Sequence, residues 1–566
     1  MNKTLKIAVV TAAMATLAVA AAADVTLPRN QTLYIGGLQW GPPNSFNPVG
    51  SVPAWPNETQ TQMMYETLFA YNMVSGKMEP QLALSLAAPD SKTFVVKMRS
   101  NIRWQDGQPL TSKDVVYTFE LAKRQNLTYS SFWDYVSSVT ANDAKTVTIK
   151  LNPAKLNPGL VKQNLTGTMI LPEHLWTGFE KANKSILEFQ NSAPIGSGPY
   201  KLQSANDQRI VLVRDDRYWG KSVWGSPAPK YIVHPILKSN DAANLAFQQG
   251  DIDLSQTFMP EIWKTWQDKK LPIGTYFKGA PYYLPGTIPY LSINVARKGL
   301  NNPLVRKALA YSINYPLIAQ TAMSQYSVPA NASLALPTGG EAKFFDKKAV
   351  AAEGWNYNPE KAVSILENQL KAKKGGDGIY VLPDGTRLGP WTVQCPFGWT
   401  DWNQSLDIVA SGAKAIGIDI STKFPDAPVW SSSMQSGNYD MVMNSAPGVS
   451  PAGLWQRYHD LLDDRGTSAV GTPSFWTYNR YHNPKVYDLI DKVAALPEAK
   501  QAPLYAQLDT IFRADIPDIP LMYRPFEFYE YNQSVWTGFA NSDSKTLAPQ
   551  FSGAGIRSIF KLKPAK

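Results

Sequence analysis

The sequence predicts a large globular protein of two or three domains. Its 566 residues exceed what one hydrophobic core supports. Segments of strand periodicity alternate with segments of helical periodicity along the chain. A composition of 18% charged and 44% hydrophobic residues places it among soluble globular proteins.

Residues 1–23 stand apart. Lys3 and Lys6 make a basic start, an apolar run follows from Ile7 to Val19, and Ala21, Ala22 and Ala23 supply small residues for cleavage. This reads as a secretory signal, too short for a membrane span, with Asp24 as the first mature residue. No cysteine lies near that point, so no lipid anchor is expected there. Removing Lys3 and Lys6 takes the formal charge from +10 to +8. Basic residues are interleaved with acidic ones, and no arginine cluster suggests a nucleic-acid partner. The one cysteine, Cys395, excludes an internal disulfide and reads as a buried thiol.

Taken in order, Gln31 to Trp40 reads as an opening strand ended by Gly41-Pro42-Pro43-Asn44, with Trp40 at its carboxyl end. Glu58 to Phe69 has helical spacing at Met63, Met64 and Leu68. Thr93 to Met98 reads as a strand. Lys113 to Arg124 reads as a helix capped by Thr111 or Ser112, with Asp114 in its first turn. Further on, Trp391-Thr392-Val393 is a short strand. Gln394-Cys395-Pro396-Phe397-Gly398-Trp399-Thr400-Asp401-Trp402 then reads as the loop leaving it. Two indoles beside a carboxylate offer an apolar face and a hydroxyl acceptor, the pair that a sugar ring needs.

Several segments resemble one family. Glu66-Thr67-Leu68-Phe69, Glu79-Pro80-Gln81-Leu82-Ala83 and Trp104-Gln105-Asp106-Gly107, followed by Thr111 and Asp114-Val115, resemble family 5 of the bacterial extracellular solute-binding proteins. Pro194-Ile195-Gly196-Ser197-Gly198-Pro199-Tyr200, Val213 to Gly220, Phe247 to Asp253 and Asn301 to Asn314 agree with it. The resemblance implies an α/β two-lobed periplasmic-binding-protein fold with an extra subdomain in lobe one and two hinge crossovers. On that basis lobe one is 24–288 plus 522–566, its inserted subdomain about 52–190, and lobe two 289–521. The crossovers fall near Leu284 to Asn294 and Pro517 to Arg524. Lobe-two helices are expected over Pro303–Asn314, Pro359–Lys371, Gln404–Ile416 and Pro484–Leu496, and a hairpin turn at Asp384-Gly385. The family further implies a periplasmic monomer that delivers a ligand to the membrane permease of an ABC importer and is not an enzyme. Nickel or haem, bound elsewhere in the family, would want histidine or arginine clusters that this sequence lacks, so no metal or cofactor is expected.

The ligand is read from the site. Peptide-binding members resemble this chain at Tyr439-Asp440-Met441-Val442 and carry an aspartate soon after it for the peptide ammonium. Here no carboxylate occurs until Asp460. Gln394 to Trp402 is instead similar to the cellobiose- and β-oligosaccharide-binding branch, as are Leu38 to Pro43, Ala280 to Pro285 and Ser534 to Thr537. The expected site is Trp40 and Trp536 from lobe one, with Trp399, Asp401, Trp402, Asn444 and Trp455 from lobe two. An oligopeptide receptor is the alternative. A secreted glycoside hydrolase is a distant one, which would need two facing carboxylates such as Asp401 and Asp440. The four histidines show no metal-ligand or nucleophile spacing.

Overall fold

The structure is a computed structural model that describes residues 27–37, 45–50, 62–237, 239–544, 547–549 and 553–565. The expected leader (1–23) and Trp40 lie outside the described residues.

Three larger sheets organise the described residues. The first has the strand order Ile273–Gly274, Glu530–Asn532, Leu254–Ser255, Thr32–Gly36, Tyr231–Pro235, Arg209–Arg214 and Tyr200–Ala205. Thr32–Gly36 runs parallel to both of its neighbours, and Leu33 and Ile35 are buried. The apolar content of that strand follows from its central position. The second sheet has the order Ile420–Lys423, Trp391–Gln394, Met441–Ser445, Pro289–Ile293 and Asp518–Pro520. Its centre buries Leu291, Ile293, Val393, Met441 and Met443. The third is antiparallel, in the order Ala83–Asp90, Thr93–Met98, Thr146–Leu151 and Val136–Asp143, and the helix Ser112–Gln125 packs on it. That helix starts with a capping box. The Thr111 side chain accepts from Lys113 N, and Thr111 N donates to Asp114 Oδ2 at 2.7 Å.

The chain passes from the first sheet to the second between Ile273–Gly274 and Pro289–Ile293, and returns between Asp518–Pro520 and Glu530–Asn532. The two crossovers touch. Gly286 N and Thr287 N donate to Arg524 O at 2.9 and 3.0 Å, and Arg524 N donates to Thr287 O at 3.1 Å. Two extended segments bonded side by side make a narrow connection between α/β lobes.

Local expectations fail at identifiable places. The helix over Glu58–Phe69 is only Gln62–Met64 among the described residues, because Phe69–Asn72 pairs as a hairpin with Lys77–Pro80. Pro359–Ser364 is α-helical but continues as a π-helical turn over Ile365–Gln369. The Asp384-Gly385 turn is present, closed by Leu382 N to Thr386 O at 2.8 Å. A second hairpin, Lys373–Lys374 with Tyr380–Val381, precedes it around Asp377-Gly378. Among the described residues no helix is long and apolar enough to cross a membrane.

Candidate functional site

Trp391–Gln394 and Met441–Ser445 run parallel, so their carboxyl ends open on the same edge of the second sheet. Open α/β sheets present ligand sites at that edge. The stretch after Gln394 is less of a loop than expected. The helix Thr400–Ala415 begins directly after Trp399, so Asp401 and Trp402 sit in its first turn. A carboxylate there is favoured by the helix dipole. Asn403 Nδ2 donates to both Cys395 Sγ and Pro396 O at 2.9 Å, which folds the segment back on its own helix. Burial pushes the Cys395 thiol up to about 12.

Trp399 is 41% exposed, whereas Trp402 is 6% exposed. Their ring centroids are 4.9 Å apart and nearly perpendicular. Trp402 thus supports Trp399 from the core instead of offering a free face. A third indole joins them: Trp430 lies 5.6 Å from Trp399, and its Nε1 donates to Met443 O at 3.2 Å. Sequence reasoning missed Trp430, because its helix Ala427–Ser436 carries no motif. Asp401 is also engaged: Arg524 Nε donates to its Oδ2 at 2.8 Å. Arg524 belongs to the second crossover and was not foreseen either.

A cavity of about 500 Å³ is lined by Asn444, Tyr290, Tyr478, Phe526, Gln163 and Asp460 among others, including Met434 of the helix that carries Trp430. Asn444 Nδ2 donates to Tyr290 Oη at 3.3 Å. Across the cleft, Gln163 Nε2 donates to Gln456 Oε1 at 3.1 Å and Ser450 Oγ donates to Gln163 Oε1 at 2.7 Å. An adjoining cavity of about 800 Å³ shares Gln456, Asp460 and Phe475. Trp455 is a wall of this second cavity and has no free face. It is 7% exposed, its Nε1 donates to Ile490 O at 3.1 Å, His459 stacks on it, and Tyr135 meets it edge-on. Burial raises the Asp460 carboxyl above the usual range, against the opposing effect of His459, whose Nδ1 is 2.8 Å away.

Two expected contacts are corrected. Trp536 is fully buried in the core of the first sheet's lobe, its Nε1 donating to Thr32 O at 2.9 Å. An indole with a satisfied N–H and no exposed surface is a packing residue. Asp440 does not face Asp401. It precedes the strand Met441–Ser445, where it accepts from Thr392 N at 3.0 Å and pairs with Arg297 at 3.4 Å, while Asp401 follows the far end of the neighbouring parallel strand. That pair cannot flank one scissile bond.

Two α/β lobes, a double crossover and a cleft between them define a substrate-binding protein of the periplasmic type. The profile of bacterial extracellular solute-binding proteins, family 5 Middle, matches residues 77–467. The chain belongs to this family, which serves ABC transporters. A probable peptide-binding protein, YejA, of Agrobacterium fabrum is 24% identical over 496 residues, covering 80% of this chain and 78% of the relative. The nickel-binding periplasmic protein of Escherichia coli is 25% identical over 507 residues, covering 85% and 88%. Among solved structures, the mannohexaose-bound periplasmic oligopeptide-binding protein of Thermotoga maritima is 31% identical. It covers 95% of this chain and 99% of its own, at a TM-score of 0.83.

Proposed function

We propose that this is the periplasmic receptor of an ABC importer, exported by its leader, and that it traps a neutral oligosaccharide between its lobes. The observation that carries this reading is the indole cluster of Trp399, Trp402 and Trp430 beyond the carboxyl end of the strand Trp391–Gln394, with Trp399 partly open and Asp401 two residues on. Stacking on an aromatic face and a fan of amide and hydroxyl partners suit a ligand without charge. Asn444, Tyr290, Gln163 and Tyr478 supply those partners in the smaller cavity. No lysine or arginine among the described residues lines that cavity, so a peptide carboxylate would lack a counter-ion there. The mannohexaose-bound relative supports the same class of ligand. Closure follows from contacts that the ligand makes to both lobes at once. The protein acts as a monomer and catalyses nothing.

An oligopeptide is the second reading. Asp460 places one half-buried carboxylate on both cavities, where an ammonium would be held, and relatives bear peptide-binding names. Titration calorimetry of the mature protein with cellobiose, mannohexaose and trialanine separates the two. Saturable sugar binding with silence from trialanine is expected. Binding of trialanine alone would replace the sugar reading by the peptide one.

A further inference from the structure

Phe526 lies on the second crossover and is 41% exposed, although it is a large apolar side chain. It is not loose. A Cβ at Gly448 would stand 1.6 Å from its Cζ and 2.1 Å from its Cε1, and a Cβ at Gly286 would stand 2.7 Å from its Cδ2. Neither glycine has a positive φ, so backbone conformation does not require glycine at either place. What requires it is the ring itself, seated between one glycine of the first crossover and one of the lobe-two loop 446–452. The remaining surface of the ring faces the cavity of about 500 Å³, together with Asn444, Tyr290 and Gln163. An immobilised aromatic ring beside amide and hydroxyl groups has the make-up of a stacking subsite.

We propose that Phe526 is a specificity-determining contact, the ring on which one pyranose unit of the ligand stacks. It is carried by the crossover, so it reaches the ligand from the axis of closure instead of from either lobe. Gly286 and Gly448 are positioning residues that hold the ring flat against the backbone. This rests on the oligosaccharide reading, and the test keeps the two apart.

Five proteins are titrated with mannohexaose and with hexa-alanine: wild type, Phe526→Ala, Gly448→Ala, the double variant and Phe526→Trp. Phe526→Trp serves as the conservative replacement, and thermal unfolding checks that each is folded. Loss of one stacking ring weakens mannohexaose about tenfold in Phe526→Ala, and Phe526→Trp restores binding. Gly448→Ala weakens it by displacing the ring, so the double variant binds no more weakly than Phe526→Ala alone. Unchanged affinity in folded Phe526→Ala overturns the proposal, as does an equal loss from Gly448→Ala when residue 526 is already alanine. If wild type binds only hexa-alanine and Phe526→Ala weakens that, the Phe526 contact stands and the sugar reading falls. Binding of neither ligand by wild type overturns both.

Discussion

Arg524 Nε donates to Asp401 Oδ2 at 2.8 Å, joining the second crossover to the first turn of the helix that follows Trp399. The Asp401 side chain is 5% exposed and that of Arg524 23%. The guanidinium also lies over the Phe528 ring, 4.6 Å from its centroid. Removing one partner of a buried pair leaves an uncompensated charge, and the more buried charge suffers more. Arg524→Ala is expected to cost about 3 kcal/mol, and Asp401→Asn less. Urea unfolding of both variants checks this; equal midpoints for Arg524→Ala and wild type would refute the coupling.

The two neighbouring indoles separate by role. Trp399→Ala is expected to weaken oligosaccharide binding about tenfold with little loss of stability, since the ring is 41% exposed. Trp402→Ala empties a core position and is expected to cost about 3–5 kcal/mol. Calorimetry and urea unfolding on the same samples decide. A Trp402→Ala protein of undiminished stability would contradict the assigned packing.

Much of this arrangement was legible in the sequence. The helix start at Thr111 or Ser112 with Asp114 in its first turn, the strand Thr93–Met98 and the turn at Asp384-Gly385 are local, and local chemistry fixes them. The exposure of Trp399 was not legible, because Trp399 and Trp402 differ only in which side of a helix start they occupy. Trp430 and Arg524 became partners of this stretch through strand order, which periodicity does not report. Trp536 misled for a related reason. Its partner, the Thr32 carbonyl, is 504 residues away, so no local pattern distinguishes it from a binding tryptophan.

Stability is expected to fall as pH rises from about 4 to about 8 through Asp518. This carboxyl is fully buried and burial pushes it up to about 8, opposed by a hydrogen bond from Asn479 Nδ2 at 2.6 Å. The folded protein therefore keeps a proton that the unfolded chain releases in the ordinary carboxylate range. The stabilisation is fully present below that range and is lost as pH climbs to the folded value, with a slope of at most about 1.4 kcal/mol per pH unit. The difference between wild type and Asp518→Asn in urea unfolding at pH 4, 6 and 8 isolates this group. A pH-independent difference would show that Asp518 ionises alike in both states.

Cys395 is expected to be inert in the native state. Its thiol is buried, held by Asn403 and pushed up to about 12. The thiolate is the reactive species. A chromogenic disulfide reagent at pH 8 should therefore release no colour until urea unfolds the protein, and then one equivalent. Prompt native reaction would mean that the segment 395–399 opens.

The seven-stranded sheet places Thr32–Gly36 beside Leu254–Ser255, and Leu254–Ser255 beside Glu530–Asn532, while Trp536 closes over the Thr32 carbonyl. A polypeptide is made amino end first. Leu254–Ser255, the neighbour of Thr32–Gly36, must therefore wait with one edge unpaired until Glu530–Asn532 has been made. The lobe between the crossovers carries no such debt to the tail, since its five strands run from Pro289 to Pro520. Maturation thus has a built-in order in which the inner lobe is complete before the outer one can be sealed. Removing Glu530–Asn532 and Trp536 would therefore injure the lobe that holds Thr32–Gly36.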